Sequence, residues 1–229
     1  MSLAAFKLPT DPDSTVGATL YPPDGERNLD ALFVFAHGAG AGQAHPFMTS
    51  YAAALAARGI TVVTFNFPYM ENKRRTPDRA PVLEDAFRRA VAAALEHREI
   101  NASKLFIGGK SMGGRVASMI ADDAYRSHRI AGLLCLGYPF HPPAKPTQLR
   151  TRHLAHLETP TLVVQGTRDE FGTRDEVESY RLSDRIDLLW LEDGDHDLKP
   201  RKSVSGFTTA DHLATVAGTV VAWSRRLAR

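Results

Sequence analysis

The segment Ala31–Ala36 is an unbroken apolar run, ALFVFA, with no polar position to face water. A run this short and this uniform fits a strand buried on both faces, not one with a wet side. Similar segments recur at Ile60–Phe65, Leu105–Ile107, Ile130–Leu136, Thr161–Gln165 and Asp187–Leu191. Helix-like stretches separate them. Pro46–Arg58 is rich in alanine and closes at Gly59, which suits a helix C-terminus. Pro81–His97 sets Leu83, Phe87, Ala90, Val91, Ala94 and Leu95 on one helical face. Ala210–Leu227 does the same with Leu213, Val216, Val220, Trp223 and Leu227. This alternation predicts an α/β fold with a mostly parallel central sheet and helices on both faces.

The stretch Leu3–Tyr21 is less regular, and an antiparallel pair at the sheet edge is expected there, with Val16–Tyr21 as one strand. No repeat, low-complexity tract or linker interrupts the chain, so residues 1–229 read as a single domain. Pro139–Pro146 reads as a loop too short to carry a large cap domain.

Composition narrows the partners. With 28 basic and 26 acidic side chains the formal charge is only +2, so neither nucleic acid nor an anionic membrane is expected as a main partner. Met1 to Lys7 lacks the pattern of a signal peptide, and no apolar run approaches the roughly 18 residues of a membrane span. The lone cysteine, Cys135, lies in an apolar run and is expected as a buried, inert thiol. These features suit a cytoplasmic location.

The chemistry gathers where strands end. In open parallel sheets, ligands bind beyond the carboxyl ends of the strands. Four segments lie at such ends: His37 to Gly42, Gly109 to Gly114, Gly166 to Asp169, and Gly194 to His196. Gly109-Lys110-Ser111-Met112-Gly113 matches G-x-S-x-G, between an apolar strand and a helix that runs to about Asp122 with Val116, Met119 and Ile120 inward. That pattern sets Ser111 on a sharp turn, its hydroxyl clear of the sheet and flanked by small residues. The same residues invite a phosphate-loop reading, G-x-x-x-x-G-K-[ST]. Its first glycine would fall at Lys104, and the loop would consume the strand itself, so this reading fails.

A serine hydroxyl needs a base to become nucleophilic. On this kind of turn the acid and base follow the serine in chain order. Asp169 follows the Thr161–Gln165 strand, and His196 follows Gly194 after the last strand. Ser111 is thus the candidate nucleophile, His196 the general base and Asp169 its orienting acid. Glu170 and Asp175 compete with Asp169 for that place. The oxyanion is expected to be held by the amides of Met112 and Ala39, the latter in the small-residue loop His37 to Gly42, with His37 packed beside it. Phe67 and Tyr69 follow a strand on the same rim and are candidates for the substrate-pocket wall, the alternative being a packed loop. Lys73, Arg74, Arg75 and Arg79 read as a solvated basic face, the alternative being a cluster that attracts an anionic substrate. Lys110 either adds positive potential beside the nucleophile or points away. His141, His153 and His156 lack an accompanying cysteine or paired carboxylate, so no metal site is expected.

At these residues the chain resembles the α/β-hydrolase superfamily over nearly its whole length. His37-Gly-Ala-Gly40, Phe67-Pro68-Tyr69, Gly109 to Gly114, Gly166-Thr-Arg-Asp169 and Asp195-His196 are similar to those of a compact, capless group related to the dienelactone hydrolases. That group has a eukaryotic branch similar to a subunit of the nonspecific-lethal histone acetyltransferase complex. The resemblance implies an α/β-hydrolase fold without a large cap, and an esterase-like activity with no metal or organic cofactor. Dienelactone hydrolases use a cysteine nucleophile; serine stands here, so lactone specificity does not carry over. The expected reaction is cleavage of a small carboxylic ester through an acyl-Ser111 intermediate. The alternative is a non-catalytic interaction module on the same fold.

Overall fold

The unbroken apolar runs become the centre of one eight-stranded sheet. The computed structural model describes residues 3–11, 14–24 and 28–227. Met1 and Ser2, part of the Met1 to Lys7 stretch expected to lack a signal-peptide pattern, lie outside these residues.

The strands are β1 (Ala4–Asp11), β2 (Ser14–Tyr21), β3 (Ala31–Ala36), β4 (Ile60–Phe65), β5 (Lys104–Lys110), β6 (Gly132–Leu136), β7 (Thr161–Gly166) and β8 (Ile186–Leu191). Their spatial order is β1-β2-β4-β3-β5-β6-β7-β8. β1 pairs antiparallel with β2, and β2 with β4. Every later neighbour is parallel. The edge pair expected from Leu3–Tyr21 is thus present. In register, Ala36 stands opposite both Phe65 and Gly109, Lys110 opposite Leu136, and Gly166 opposite Leu191. The C-terminal ends of β3, β5, β7 and β8 therefore share one rim.

Along β3 the side chains alternate between two cores, as the twofold period of a strand requires. Leu32, Val34 and Ala36 join one, and Ala31, Phe33 and Phe35 the other. Helices α3 (Ala80–Leu95) and α4 (Met112–Arg126) close the first core through Leu83, Phe87, Ala90, Val116 and Ile120. Helices α1 (Pro46–Ala56) and α7 (Thr209–Arg226) close the second through Met48, Tyr51, Leu55, Val216, Val220 and Trp223. Burying a side chain such as Phe87 contributes about 1.5–3 kcal/mol. Local signals set the ends. Pro46 occupies the first turn of α1, behind His45, whose ring accepts the Phe47 amide at 3.3 Å. Thr208 and Asp211 form a reciprocal cap at the start of α7.

Several details differ from the sequence reading. β5 extends through Gly108 and Gly109 to Lys110, because Lys110 still pairs with Leu136. α4 continues past Asp122 to Arg126, and the Asp122 carboxylate accepts the Glu158 and Thr159 amides. Met119 and Leu95, expected inward, are exposed, since each lies off the buried stripe of its helix. The described residues also form short helices that no sequence period predicts: α2 (Pro68–Glu71), α5 (Arg174–Glu178) and α6 (Lys202–Ser205). Among the described residues no helix is long and apolar enough to cross a membrane.

Candidate active site

Ser111 sits between the last residue of β5 and the first of α4, with φ 50° and ψ −115°. A non-glycine residue held there stores roughly 1–3 kcal/mol of strain and needs firm anchors. Its amide donates to the Leu136 carbonyl at 3.0 Å, and its carbonyl accepts the Arg115 amide at 3.0 Å. The flanking glycines are required by close approach. A Cβ on Gly109 would lie 2.4 Å from the Ala36 oxygen, and one on Gly113 2.5 Å from the same atom.

The rim register brings the three chain-distant residues together. His196 Nε2 lies 2.9 Å from Ser111 Oγ, and its Nδ1 lies 2.9 and 3.0 Å from the two Asp169 oxygens. With Nδ1 protonated, the ring donates to Asp169 and accepts the serine hydroxyl. Asp169 is fully buried, and its remaining bonds fix it: Gln165 Nε2 donates to Oδ2 and the Phe171 amide to Oδ1, each at 2.9 Å. Gln165 is held in turn by the Tyr138 amide, which donates to its Oε1 at 2.8 Å. The Phe171 ring stacks on the His196 ring, centroids 4.0 Å apart. Sequence reasoning missed Gln165 and Phe171. The one hint was a polar residue closing an apolar strand. Glu170 and Asp175 are exposed, and Asp195 spends its Oδ1 on the Asp197 and Lys199 amides.

Lys110 is anchored to the loop that carries His196. Its buried ammonium donates to the His196 carbonyl, lies 3.6 Å from Asp197 Oδ1 and sits 5.1 Å from the Phe47 ring centre. Burial, only partly offset by Asp197 and the other nearby carboxylates, pulls its pKa down to about 8.

Ala39 and Met112 both face the cleft beside Ser111. As the first residue of α4, Met112 has an amide with no intrahelical acceptor. Among the described residues the Ala39 amide donates to no backbone carbonyl. The loop carrying Ala39 is tied down on its far side. Tyr69 donates its hydroxyl to the Ala39 carbonyl at 3.0 Å. Gln43 receives the Thr64 hydroxyl at 2.9 Å and donates its amide to Asn66 at 3.0 Å. His37, fully buried, accepts the Phe67 amide at Nε2 (3.0 Å) and donates from Nδ1 to the Gly38 carbonyl (2.7 Å). Burial holds its pKa down at about 4, so the ring is neutral near pH 7.

Phe67 and Tyr69, candidates for the pocket wall, do not reach it. Pro68 starts the short helix α2 directly after β4, and both rings turn into the core with no exposed surface. The cleft, about 600 Å³, is walled around Ser111 and His196 by Ala39, Phe47, Met112, Arg115, Arg150 and Phe171. The basic cluster lies elsewhere: Lys73, Arg74 and Arg75 are exposed, and Arg74 pairs with Asp78 at 2.7 Å. The three histidines considered as ligands diverge. His141 neighbours Glu176, His153 meets Ser118 and His156 is exposed. Cys135 is buried, which pushes its thiol pKa up.

This arrangement can pass a proton from Ser111 to His196 while Asp169 steadies the charged ring. Comparison with known proteins agrees with the architecture. A family model described as an alpha/beta hydrolase domain matches residues 29–225. A lidless α/β serine hydrolase from Xanthomonas campestris superposes with TM-score 0.73 at 21% identity, covering 98% of this chain and 94% of that one. A dienelactone hydrolase from Anabaena variabilis gives 0.72 at 19%, covering 100% and 99%. The esterase domain of a Rhodothermus marinus protein gives 0.71 at 16%, covering 99% of each. At these identities the solved structures speak for the fold, while the family model spans most of the chain. The chain belongs to the α/β-hydrolase family.

Proposed function

We propose that the protein is a serine hydrolase that cleaves a small carboxylic ester through an acyl-Ser111 intermediate. The observation that carries this is the unbroken relay from Ser111 Oγ through the His196 ring to a buried, fully bonded Asp169. In the first half-reaction, Ser111 Oγ attacks the ester carbonyl and its proton passes to His196 Nε2. The oxyanion is received by the amides of Ala39 and Met112. The tetrahedral intermediate collapses, and His196 returns the proton to the departing alcohol. In the second half-reaction, His196 takes a proton from water, the hydroxide attacks the acyl group, and the carboxylic acid leaves as Ser111 regains its proton. No cofactor enters either half. Without a cap over the cleft, a short, soluble ester is the expected substrate. The esterase in the name of the Rhodothermus marinus domain agrees with an ester as the bond cleaved.

The test pairs a fluorophosphonate probe with p-nitrophenyl acetate. Wild type should label and turn over, and Ser111→Ala should do neither. A folded wild type that neither labels nor hydrolyses short esters would overturn the proposal in favour of a non-catalytic interaction module.

A further inference from the structure

The charged side chains walling the cleft do not balance. Lys110 and Asp197 face each other at 3.6 Å. That leaves Arg115 and Arg150, which line the same cleft as Ser111 and lie close enough for their charges to repel. Both are half-buried, and among the described residues neither guanidinium meets a carboxylate or any other acceptor. Arg115 Nε is buried outright and has no hydrogen-bond partner. Several other arginines meet acids, among them Arg126 with Glu158, Arg174 with Glu178 and Arg201 with Asp193. A buried guanidinium nitrogen without a partner is costly, and a second like charge beside it adds to the cost.

Neighbouring groups do not relieve the charge. Burial, and then the Arg115 charge, lower the Arg150 pKa. The Tyr138 phenol is pushed up by burial, so it stays neutral, and its hydroxyl donates to the Arg150 carbonyl at 3.1 Å. His153 is pulled down by burial and then by Arg115. The backbones of the two arginines are anchored. Arg115 lies in the first turn of α4, with Ser118 donating to its carbonyl at 2.7 Å. The Arg150 amide donates to the Phe140 carbonyl at 2.7 Å. Two planar guanidinium forks without protein partners, carried on anchored backbone, are suited to a bidentate oxyanion such as carboxylate or phosphate.

We infer that Arg115 and Arg150 form an anion subsite, so that the preferred ester carries a carboxylate or phosphate on the part that does not react. The word ester rests on the serine-hydrolase reading above; the anion rests on the two arginines alone. Arg115 is one helical turn from the nucleophile, so the charged group lies only a few bonds from the scissile carbonyl.

Matched esters test this. p-Nitrophenyl hydrogen glutarate against its methyl ester puts the charge on the acyl side. 4-Acetoxybenzoate against its methyl ester puts a carboxylate on the leaving group, and 4-acetoxyphenyl phosphate puts a phosphate there. In at least one pair the anionic ester should exceed its neutral partner in kcat/KM by about tenfold or more, and Arg115→Met and Arg150→Met should each cut that ratio by about tenfold. Taking the ratio cancels any loss of folded enzyme. Ratios at or below one throughout, or ratios that both variants leave intact, would overturn the inference. If no ester at all is turned over, the hydrolase reading is what falls. The subsite is then read in Ser111→Ala by calorimetry with glutarate, 4-hydroxybenzoate and 4-hydroxyphenyl phosphate. Saturable binding lost in the added Arg150→Met change supports it, and no binding of any of the three overturns it.

Discussion

Asp169 owes its fixed position to more than the imidazole it faces. Its oxygens accept from Gln165 Nε2 and the Phe171 amide as well as from His196, so the carboxylate cannot swing away without losing several bonds at once. Asp169→Asn keeps the shape but can turn an amide N–H toward Nδ1, favouring the tautomer that carries its proton on Nε2. That tautomer cannot accept the serine proton, so kcat should fall by about 10⁴ with KM changed little, as steady-state ester hydrolysis would show. A loss under tenfold would mean that another group orients His196. Ser111 and His196 could be read from sequence because each lies two residues after a glycine near a strand end. Asp169 could be read from chain order, but its rivals Glu170 and Asp175 were separable only by burial. Phe67 and Tyr69 misled because rim position was visible and the turn begun by Pro68 was not. Arg115 and Arg150 carry no sequence mark; what distinguishes them is the missing acid, which only packing reveals.

At the scale of elements, the position of Ser111, the proposed nucleophile, depends on how tightly α4 rides over the end of β3. A Cβ at Gly113 would meet the Ala36 oxygen at 2.5 Å and the His37 oxygen at 2.7 Å, all backbone atoms that cannot rotate aside. Gly113→Ala must push α4 and β3 apart, costing about 1–3 kcal/mol by overpacking and moving Ser111 from His196. Gly218, within α7, has open space where a Cβ would go. Gly218→Ala should therefore stabilise by about 0.5–1 kcal/mol through helix propensity, with activity untouched. Urea unfolding of the two variants should move in opposite directions. If Gly113→Ala left both stability and ester turnover intact, the close contact would be without consequence. The same logic explains which elements were legible. β3 and β4 kept their sequence bounds because both their faces are buried. The short helices α2, α5 and α6 are too brief to show a period, and their capping residues alone did not announce them.

For the whole molecule, the neutral buried histidine sets how stability should respond to acid. His37 links the end of β3 to the backbone of Phe67, and burial holds its pKa at about 4 against an ordinary 6.5. Between those values the unfolded chain binds a proton that the folded chain refuses, so stability falls as pH falls from about 6.5 to about 4 and no further from this source. The full span is worth about 3 kcal/mol, of which about 2 should be lost between pH 7 and pH 5. His153, also lowered by burial, contributes with the same sign. Carboxylates with lowered values act later: Asp193, bonded to Arg201 and held at about 2, loses its contribution only as pH drops from its ordinary range toward that value. Urea unfolding at pH 7 and pH 5 should thus isolate the histidines. His37→Gln lowers stability at pH 7, because the Phe67 amide and Gly38 carbonyl lose their partner, yet its decline toward pH 5 should be shallower than in wild type. Equal declines would assign the acid sensitivity elsewhere. Because the ring bridges the start of the loop carrying Ala39 to the turn carrying Tyr69, forcing a proton onto it breaks the Phe67 bond at that rim first, so ester turnover should be lost at a pH no lower than that at which the fold gives way.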